Sequence, residues 1–288
     1  MSGDNRRIVA VGEVVWDIFP DRQVLGGAPV NAAYHLQKLG RAVTVITRIG
    51  EDDLGAATLA RLEDLGLATA GIQRDSELAT GRVMITLGPE QEPHFEIMAP
   101  AAWDRIDPEA ARLAAGEPPF ALLFGTLAQR DPRSREAIRH LAQTAAPCFY
   151  DVNLRPPFTS RELVLASLGL ADLVKMNGRE LAEVGGWHGW PGATKEDAKN
   201  IAKNLCARYD LAALAVTEGG QGAWAMTGAG DFFEAAAEPV RVVDTVGAGD
   251  AFFAALIDAF LAHHPWPEIL ARANRLGGRV ASQPGATP

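Results

Sequence analysis

The sequence has few cysteines and no long apolar run, and both absences narrow what the protein can be. Only two of its 288 residues are cysteine, Cys148 and Cys206, and their spacing fits neither a metal site nor a redox-active pair. We interpret both as small buried hydrophobic residues in a reducing compartment. No apolar stretch approaches the roughly 20 residues of a membrane span, and the polar segment Met1–Arg7 has no signal-peptide core. The sequence therefore predicts a soluble, cytoplasmic protein.

Positive charge is also scarce. The chain has 27 Lys and Arg residues against 36 Asp and Glu residues, which gives a formal net charge of −9. A chain this acidic has no general attraction for nucleic acid or for anionic membrane surfaces, so we expect neither as a partner. A phosphate-bearing ligand would need a local site built from backbone amides, a metal ion or a few cations.

Two motifs that often reveal a function are missing. The sequence contains no Gly-x4-Gly-Lys-Ser/Thr segment, which excludes a P-loop. The six histidines have no ligand spacing with one another or with cysteine, so they indicate no metal centre. The chemistry must therefore be carried by glycines, carboxylates and amides.

Apolar strand-like segments alternate with helix-like segments along most of the chain. This alternation predicts an α/β fold in which helices cover both faces of a mostly parallel sheet. The hydrophobic content of 48% suits one large core, and no linker or internal repeat divides the chain, so we predict a single domain over 1–288.

Two segments, at about 13–27 and 72–103, interrupt the alternation. The second contains two strand-like runs, Arg82–Leu87 and His94–Met98, joined by a predicted turn at 88–91. No helix separates these runs, so they form a hairpin. We expect the two segments to pair into a small separate sheet that covers the main one.

Polar segments follow six of the predicted strands. Because ligands of parallel sheets bind at the carboxyl ends of the strands, we expect the functional residues there. The six segments are Gly12–Asp17, Gly50–Gly55, Asp151–Arg155, Asn177–Glu180, Thr217–Gly222 and Asp244–Asp250.

The last of these segments has the form of an anion site. A predicted strand at Val240–Val243 leads through Gly247-Ala248-Gly249 into a predicted helix at Ala248–His263. The first amides of such a helix bind anions, and Asp250 beside them suits a base that accepts a proton during phosphoryl transfer. The plainer alternative is that Asp250 caps the first turn of the helix.

The same glycines begin like a dinucleotide-binding fingerprint. The segment Gly247–Phe252 would place Phe252 at the third glycine position, where a bulky side chain prevents close packing of helix and strand. This alternative, a nicotinamide-dependent oxidoreductase, therefore has weak support.

Several stretches resemble the ribokinase-like (PfkB-type) carbohydrate kinases. The segment Asp244-Thr245-Val246-Gly247-Ala248-Gly249-Asp250 is similar to the family's second signature. The segment Gly26-Gly27-Ala28-Pro29-Val30-Asn31 is similar to part of the first, which Ile49–Gly55 continues. The resemblance covers nearly the whole chain in the family's order, and the opening Gly12–Pro20 is most similar to fructokinases.

The resemblance implies a role for each of several residues. The transfer would use Asp250 as base, Gly247, Ala248 and Gly249 as anion hole, and Arg155 beside the phosphoryl group. The sugar would be bound by Asp17, Gly26, Gly27, Asn31 and Asn153. The nucleotide would be bound by Asn177, Thr217, Gly219, Gly222 and Asn274. Glu180 would hold Mg²⁺ through water, and K⁺ would be ringed by Asp244, Val246, Val280, Gln283 and Gly285.

The resemblance also implies the overall activity. We expect a ribokinase-like three-layer sandwich, with a small β lid, that transfers the γ-phosphoryl group of ATP to a hydroxyl of a small sugar, with fructose first. Within the family the alternatives are 2-keto-3-deoxygluconate, ribose or another small sugar. A non-catalytic sugar-binding regulator is a further alternative, although Asp250 and both glycines are intact. In many relatives the lids pair in homodimers, which we carry over as an expectation.

Overall fold

The computed structural model describes residues 6–87, 93–118 and 120–288, and the predicted turn at 88–91 lies outside them. The strands within these ranges are β1 (Ile8–Val11), β2 (Val15–Ile18), β3 (Gln23–Gly26), β4 (Val43–Gly50), β5 (Ile72–Asp75), β6 (Arg82–Leu87), β7 (Pro93–Ile97), β8 (Ala121–Gly125), β9 (Cys148–Asp151), β10 (Leu173–Asn177), β11 (Ala213–Thr217), β12 (Ala223–Thr227) and β13 (Phe232–Ala235). The helices are α1 (Ala28–Lys38), α2 (Asp53–Asp64), α3 (Pro108–Ala115), α4 (Pro132–Ala142), α5 (Arg161–Leu168), α6 (Gly178–Trp187), α7 (Lys195–Tyr209), α8 (Ala248–Leu261) and α9 (Trp266–Ala281).

One large sheet forms the centre of the molecule. Its nine strands lie in the order β13-β12-β11-β10-β9-β8-β1-β4-β5. Neighbouring strands are parallel except that β12 runs antiparallel to both β11 and β13. From β1 the chain moves outward to β4 and β5, and later returns to the other side of β1 at β8. Ligands of such sheets bind beside the point where the strand order reverses, which here lies between β1 and β8.

A second sheet of four strands, in the order β3-β2-β6-β7, confirms the predicted cover. Two antiparallel hairpins form it, and a parallel pairing of β2 with β6 joins them. The predicted start of its second segment, residue 72, needs correction. Ile72–Asp75 pairs with β4 as an edge strand of the large sheet, so the second hairpin of the cover begins at Arg82.

Helices cover both faces of the large sheet, as predicted. Successive residues of a strand point to opposite faces, so Val9 and Val11 pack into one core cluster while Ile8 and Ala10 pack into the other. The first cluster lies under α3 to α7, and the second under α1, α2, α8 and α9. Because both faces are covered, the central strands β1 and β8 are apolar throughout.

The predicted strand at Val240–Val243 is wrong. These residues are irregular, and Val240, Val242 and Val243 are exposed. The Val243 N–H donates to the Ala281 carbonyl at the end of α9 (2.8 Å) rather than to a neighbouring strand. Valines favour strands only where another strand offers an edge to pair with. Since no strand precedes the glycines of 247–249, the dinucleotide fingerprint also loses its structural context.

Candidate active site

Asp250 lies in the first turn of α8, at the carboxyl edge of the large sheet. Gly247, the residue before the helix, has φ 77°, and a Cβ there would lie 2.3 Å from the Cβ of Ala286. Only glycine fits this turn without strain. The Asp250 side chain does not cap α8; its Oδ2 accepts a hydrogen bond from Asn31 Nδ2 (2.8 Å). The capping alternative is therefore wrong, and Asp250 is joined to α1.

The surroundings of Asp250 favour its neutral form. Burial raises its pKa to about 6, and the nearby Asp151 carboxylate adds to this rise. The hydrogen bond from Asn31 and the charges of Lys175 and Arg155 act in the opposite direction. A carboxyl with this pKa is ionised at neutral pH yet accepts a proton more readily than an ordinary aspartate.

Glu13 is a site residue that sequence reasoning missed. It follows the end of β1, is buried, and has an Oε2 atom with no hydrogen-bond partner among the described residues. Burial raises its pKa to about 7; Arg155 lowers it, whereas Asp250 and Asp151 raise it. The available signal was a carboxylate placed between the apolar residues Val11 and Val14, directly after a buried strand.

Three predicted sugar-binding residues lie in or next to the hairpin of β2 and β3 in the small sheet: Asp17, Gly26 and Gly27. A Cβ on Gly26 would lie 3.2 Å from Asp17 Oδ2, so the backbone of β3 approaches this carboxylate closely. Gly27 has φ 117°, and a Cβ there would lie 2.5 Å from the Glu13 carbonyl oxygen. Burial raises the pKa of Asp17 to about 6, and Arg155 opposes this rise.

Arg155 faces all of these carboxylates from the loop after β9. Its guanidinium lowers the pKa of Glu13, Asp17 and Asp250, and its Nη1 donates to the Leu154 carbonyl oxygen (3.0 Å). Arg155 is exposed, and Asn153, two residues earlier, has the left-handed φ of 36° that turns the loop. The structure thus brings together Asp17, Asn31, Arg155 and Asp250 from four separate segments.

Both carboxylate oxygens of Glu180 accept hydrogen bonds from the backbone. Its Oε2 accepts the Asn177 N–H (2.8 Å) and its Oε1 accepts the Leu154 N–H (2.9 Å), so it ties α6 to the loop that carries Arg155. Asn177 caps the same helix, accepting the N–H of Arg179 and of Glu180 at 3.0 Å each. Glu180 is buried, and burial raises its pKa, aided by Asp151.

The predicted nucleotide-binding residues lie further along the sheet edge, around the turn after β11. Thr217 ends β11, and Gly219 and Gly222 have φ of 58° and 112°. A Cβ on Gly222 would lie 2.2 Å from the Ala235 carbonyl oxygen, which also accepts the Asn274 side-chain N–H at 2.8 Å. Asn274 therefore fastens α9 to the segment that packs on this turn.

The residues predicted to ring K⁺ meet near the C-terminal end of α9. Asp244 Oδ1 accepts the Val246 N–H and its Oδ2 accepts the Gly285 N–H, both at 3.0 Å. The Gln283 N–H donates to the Val280 carbonyl (2.9 Å). The tail after α9 then reaches α1, where His35 Nε2 lies 2.9 Å from the Ala286 carbonyl oxygen.

The described residues contain neither a metal-binding cluster nor a membrane-spanning helix. No cluster of three or more His, Cys, Asp or Glu residues able to hold a metal ion occurs in the described ranges. None of the helices described for this chain is both long and apolar enough to cross a membrane.

Comparisons with known proteins identify relatives over the full length of the chain. A family model described as pfkB family carbohydrate kinase matches residues 7–288. A fructokinase from Klebsiella pneumoniae is 31% identical over 286 residues, covering 93% of this chain and 88% of the relative. Aminoimidazole riboside kinase from Salmonella typhimurium is 26% identical over 304 residues, covering 97% and 90%. A solved double mutant of fructokinase from Vibrio cholerae O395, with fructose, ADP and potassium ion bound, has a TM-score of 0.84 at 23% identity and covers 100% of this chain and 96% of that one.

Proposed function

The chain belongs to the pfkB family of carbohydrate kinases, and from this premise we propose that it transfers the γ-phosphoryl group of ATP to a hydroxyl of fructose. As a carbohydrate kinase it is a phosphotransferase with an alcohol group as acceptor. The proposal names fructose as the acceptor and ATP as the donor. Fructokinases among the relatives, one of them solved with fructose and ADP, support both.

The observation that carries the mechanism is the position of Asp250. It combines a raised pKa, a fixed hydrogen bond from Asn31, and a place beside the first amides of α8. A base for a sugar hydroxyl needs this combination, because it must be ionised before the reaction and close to the group that is transferred.

In the proposed step the acceptor hydroxyl gives its proton to Asp250 while its oxygen bonds the γ-phosphorus. The bond from the γ-phosphorus to the bridging oxygen breaks, and its electron pair leaves with ADP. The Gly249 amide, at the positive end of the helix dipole, stabilises the negative charge of the phosphoryl oxygens. The Ala248 amide joins it by giving up its 3.3 Å hydrogen bond to the Thr245 carbonyl oxygen. Arg155, whose charge reaches Asp250, adds a positive charge from the loop after β9.

Mg²⁺, which would neutralise phosphate charge, fits this edge of the sheet only as an ion held largely by the nucleotide and water. Both oxygens of Glu180 already accept backbone N–H groups, and the described residues supply no carboxylate cage. This suits Mg²⁺, which commonly keeps much of its water. For K⁺, the carboxylate of Asp244 organises the backbone of Val246 and Gly285, which would present carbonyl ligands.

Asp17, Asn31 and the two adjacent glycines suit a neutral polyol as the acceptor. A carboxylate accepts hydrogen bonds from hydroxyls, and an amide both donates and accepts them. Aminoimidazole riboside is a second candidate, because a kinase for it is 26% identical to this chain. We place 2-keto-3-deoxygluconate and ribose after these two.

The small sheet would act as the lid of a single kinase unit spanning 1–288. The carboxylate of Asp17 projects from β2 of this sheet into the proposed sugar site, so closure over the sugar would shield the reaction from water.

We extend the proposal to a homodimer formed through the lids. Light scattering tests it, and a mass of one chain at micromolar concentration would contradict it.

The test of the activity is ADP release from ATP and Mg²⁺ across a panel of fructose, aminoimidazole riboside, 2-keto-3-deoxygluconate and ribose. We expect the highest kcat/KM with fructose. A higher value with another member of the panel would replace fructose as the substrate, and no turnover with any sugar would contradict the proposal. Titrating KCl in the same assay tests the K⁺ site, since an unchanged rate contradicts it.

A further inference from the structure

A buried ion pair lies beneath the glycine turn at 247–249, and neither of its residues takes part in the reaction step proposed above. Lys175 lies on β10 directly opposite Asp151 of β9, and its Nζ is 3.0 Å from both carboxylate oxygens. Lys175 is 7% exposed and Asp151 is 4% exposed. Removing two charges from water is expensive, and apolar side chains of similar size often serve a core equally well. A role at the adjacent site would account for the pair.

The position of the ammonium points to that role. A Cβ built on Gly249 would lie 3.3 Å from Lys175 Nζ, so the ammonium sits against the turn whose amides form the anion site. The charge of Lys175 also acts on Asp250, whose pKa it lowers. The absence of a side chain at Gly249 therefore leaves space between the ammonium and the first turn of α8.

Hydrogen bonding leaves the ammonium with capacity for a ligand. An ammonium has three N–H donors, and in the described part of the chain its hydrogen bonds all go to the Asp151 carboxylate. Asp151, Asp250 and Glu180 together raise the pKa of Lys175 above its ordinary value, outweighing burial, which alone would lower it. The side chain is thus a fixed positive charge and neither gives nor takes a proton in the reaction.

We infer that Lys175, oriented by Asp151, completes the anion hole by binding the phosphoryl group received at the Gly247–Gly249 turn. Lys175 is then a catalytic residue and Asp151 a positioning residue that acts through it. This inference rests on the proposed kinase reaction and adds a side-chain charge to a site otherwise made of backbone amides. The charge matters most in the transition state, when the phosphoryl group is between its two partners.

Lys175→Met is the direct test, because methionine keeps the length and the packing while removing the charge. We expect kcat to fall about 10²–10³-fold with little change in the KM for fructose, as when a preorganised donor is lost. The acid limb of the pH profile should also move to higher pH, since Lys175 lowers the pKa of Asp250. Lys175→Arg, which keeps the charge, should recover part of kcat.

The double variant Asp151→Asn with Lys175→Met leaves no unpaired buried charge and keeps the inference testable if the single variant fails to fold. Arg130→Met is the matched control, because Arg130 forms another buried ion pair, with Asp104 at 2.7 Å. We expect the control to lower Tm while folded enzyme keeps its kcat. A folded Lys175→Met variant with near-wild-type kcat and an unchanged pH profile, or a folded double variant with near-wild-type kcat, would overturn the inference.

A binding measurement separates this inference from the choice of substrate. We expect Lys175→Met to bind ADP nearly as wild type does, but to bind ADP with aluminium fluoride, a mimic of the transferred phosphoryl group, at least about tenfold more weakly. Equal affinity for the mimic would contradict the role of Lys175. Failure of the wild type to phosphorylate fructose would contradict only the proposed substrate.

Discussion

The two sides of the candidate site are built in different ways. The side proposed to bind the acceptor, around Asn31, Asp151 and Asp250, consists of buried or half-buried side chains, of which Asn31 and Asp250 share a hydrogen bond. The side proposed to bind the nucleotide, around the turn after β11, is formed by backbone at an open surface, where Gly219 is exposed. Buried side chains fix positions and shift pKa values, whereas an open glycine turn lets a large ligand approach the backbone.

This difference predicts that changes on the acceptor side act on catalysis and changes on the nucleotide side act on affinity.

Asp250→Asn should lower kcat about 10³-fold or more, because the amide accepts no proton from the hydroxyl. In the wild type, kcat/KM should decline as pH falls below about 6, the pKa of Asp250, since the protonated carboxyl is no base. Steady-state kinetics between pH 5 and 9 measure both effects. The control is Glu196→Gln, which removes an exposed carboxylate from the first turn of α7. Comparable losses in the two variants would contradict a special role for Asp250.

Asn31→Ala should lower kcat/KM for fructose about 10–10²-fold and leave the KM for ATP nearly unchanged. The variant loses the 2.8 Å hydrogen bond to Asp250, which holds the ionised carboxylate and lowers its pKa. The acid limb of the pH profile should therefore move to higher pH. Lys38→Ala, an exposed position on the same helix, should behave as wild type. An unmoved acid limb would show that the contact does not tune the base.

Gly222→Ala should raise the KM for ATP about tenfold, since a residue forced to leave a left-handed conformation shifts the turn. Its φ is 112°, and its new Cβ would meet the Ala235 carbonyl oxygen at 2.2 Å. Gly220→Ala is the matched control because no atom lies within 4 Å of a Cβ there. Isothermal titration with ADP checks the affinity. If Gly222→Ala changed the KM for fructose more than that for ATP, the division into two sides would fail.

Glu13→Gln should have the smallest effect on rate, less than about twofold, and should stabilise the protein at high pH. The raised pKa of Glu13, about 7, means that the folded state favours the protonated form. The stability that this form contributes is complete below pH 4.5 and is lost as pH rises through 7. At pH 8 the variant should unfold with a free energy about 2–3 kcal/mol higher than wild type. Urea titrations at pH 4.5 and pH 8 test this, and an equal difference at both would contradict it.

Sequence patterns located much of this site because its residues follow strands. Asp17, Arg155 and Asp250 each lie in a polar segment after a predicted strand, or after the irregular stretch that replaces one, and the parallel sheet gathers those segments at one edge. The contact between Lys175 and Asp151 was not predictable in the same way. It depends on which residues of β9 and β10 lie opposite each other, and the sequence spacing of 24 does not encode that register.

Tertiary packing overrides local helix propensity in α6. Gly185 and Gly186 are poor helix formers, yet both lie within this helix. In the fold, a Cβ on Gly185 would lie 2.6 Å from Ile201 Cδ1, so this glycine allows α6 to pack closely on α7. The conformational cost is offset by tertiary contact, which local propensity does not include.

The hydrogen bond between Asn31 and Asp250 joins residues 219 positions apart in the sequence. It can form only after the two ends of the chain have come together. During translation β1 and α1 emerge long before α8, so the early segments wait with Asn31 and Glu13 facing no partner. The residues after α9 contact both segments. Ala286 packs against Gly247, at the start of α8, and its carbonyl oxygen lies 2.9 Å from His35 Nε2 of α1. Such distant closure is a slow event in folding. No fragment that ends before α8 therefore contains both Asp250 and its partner Asn31.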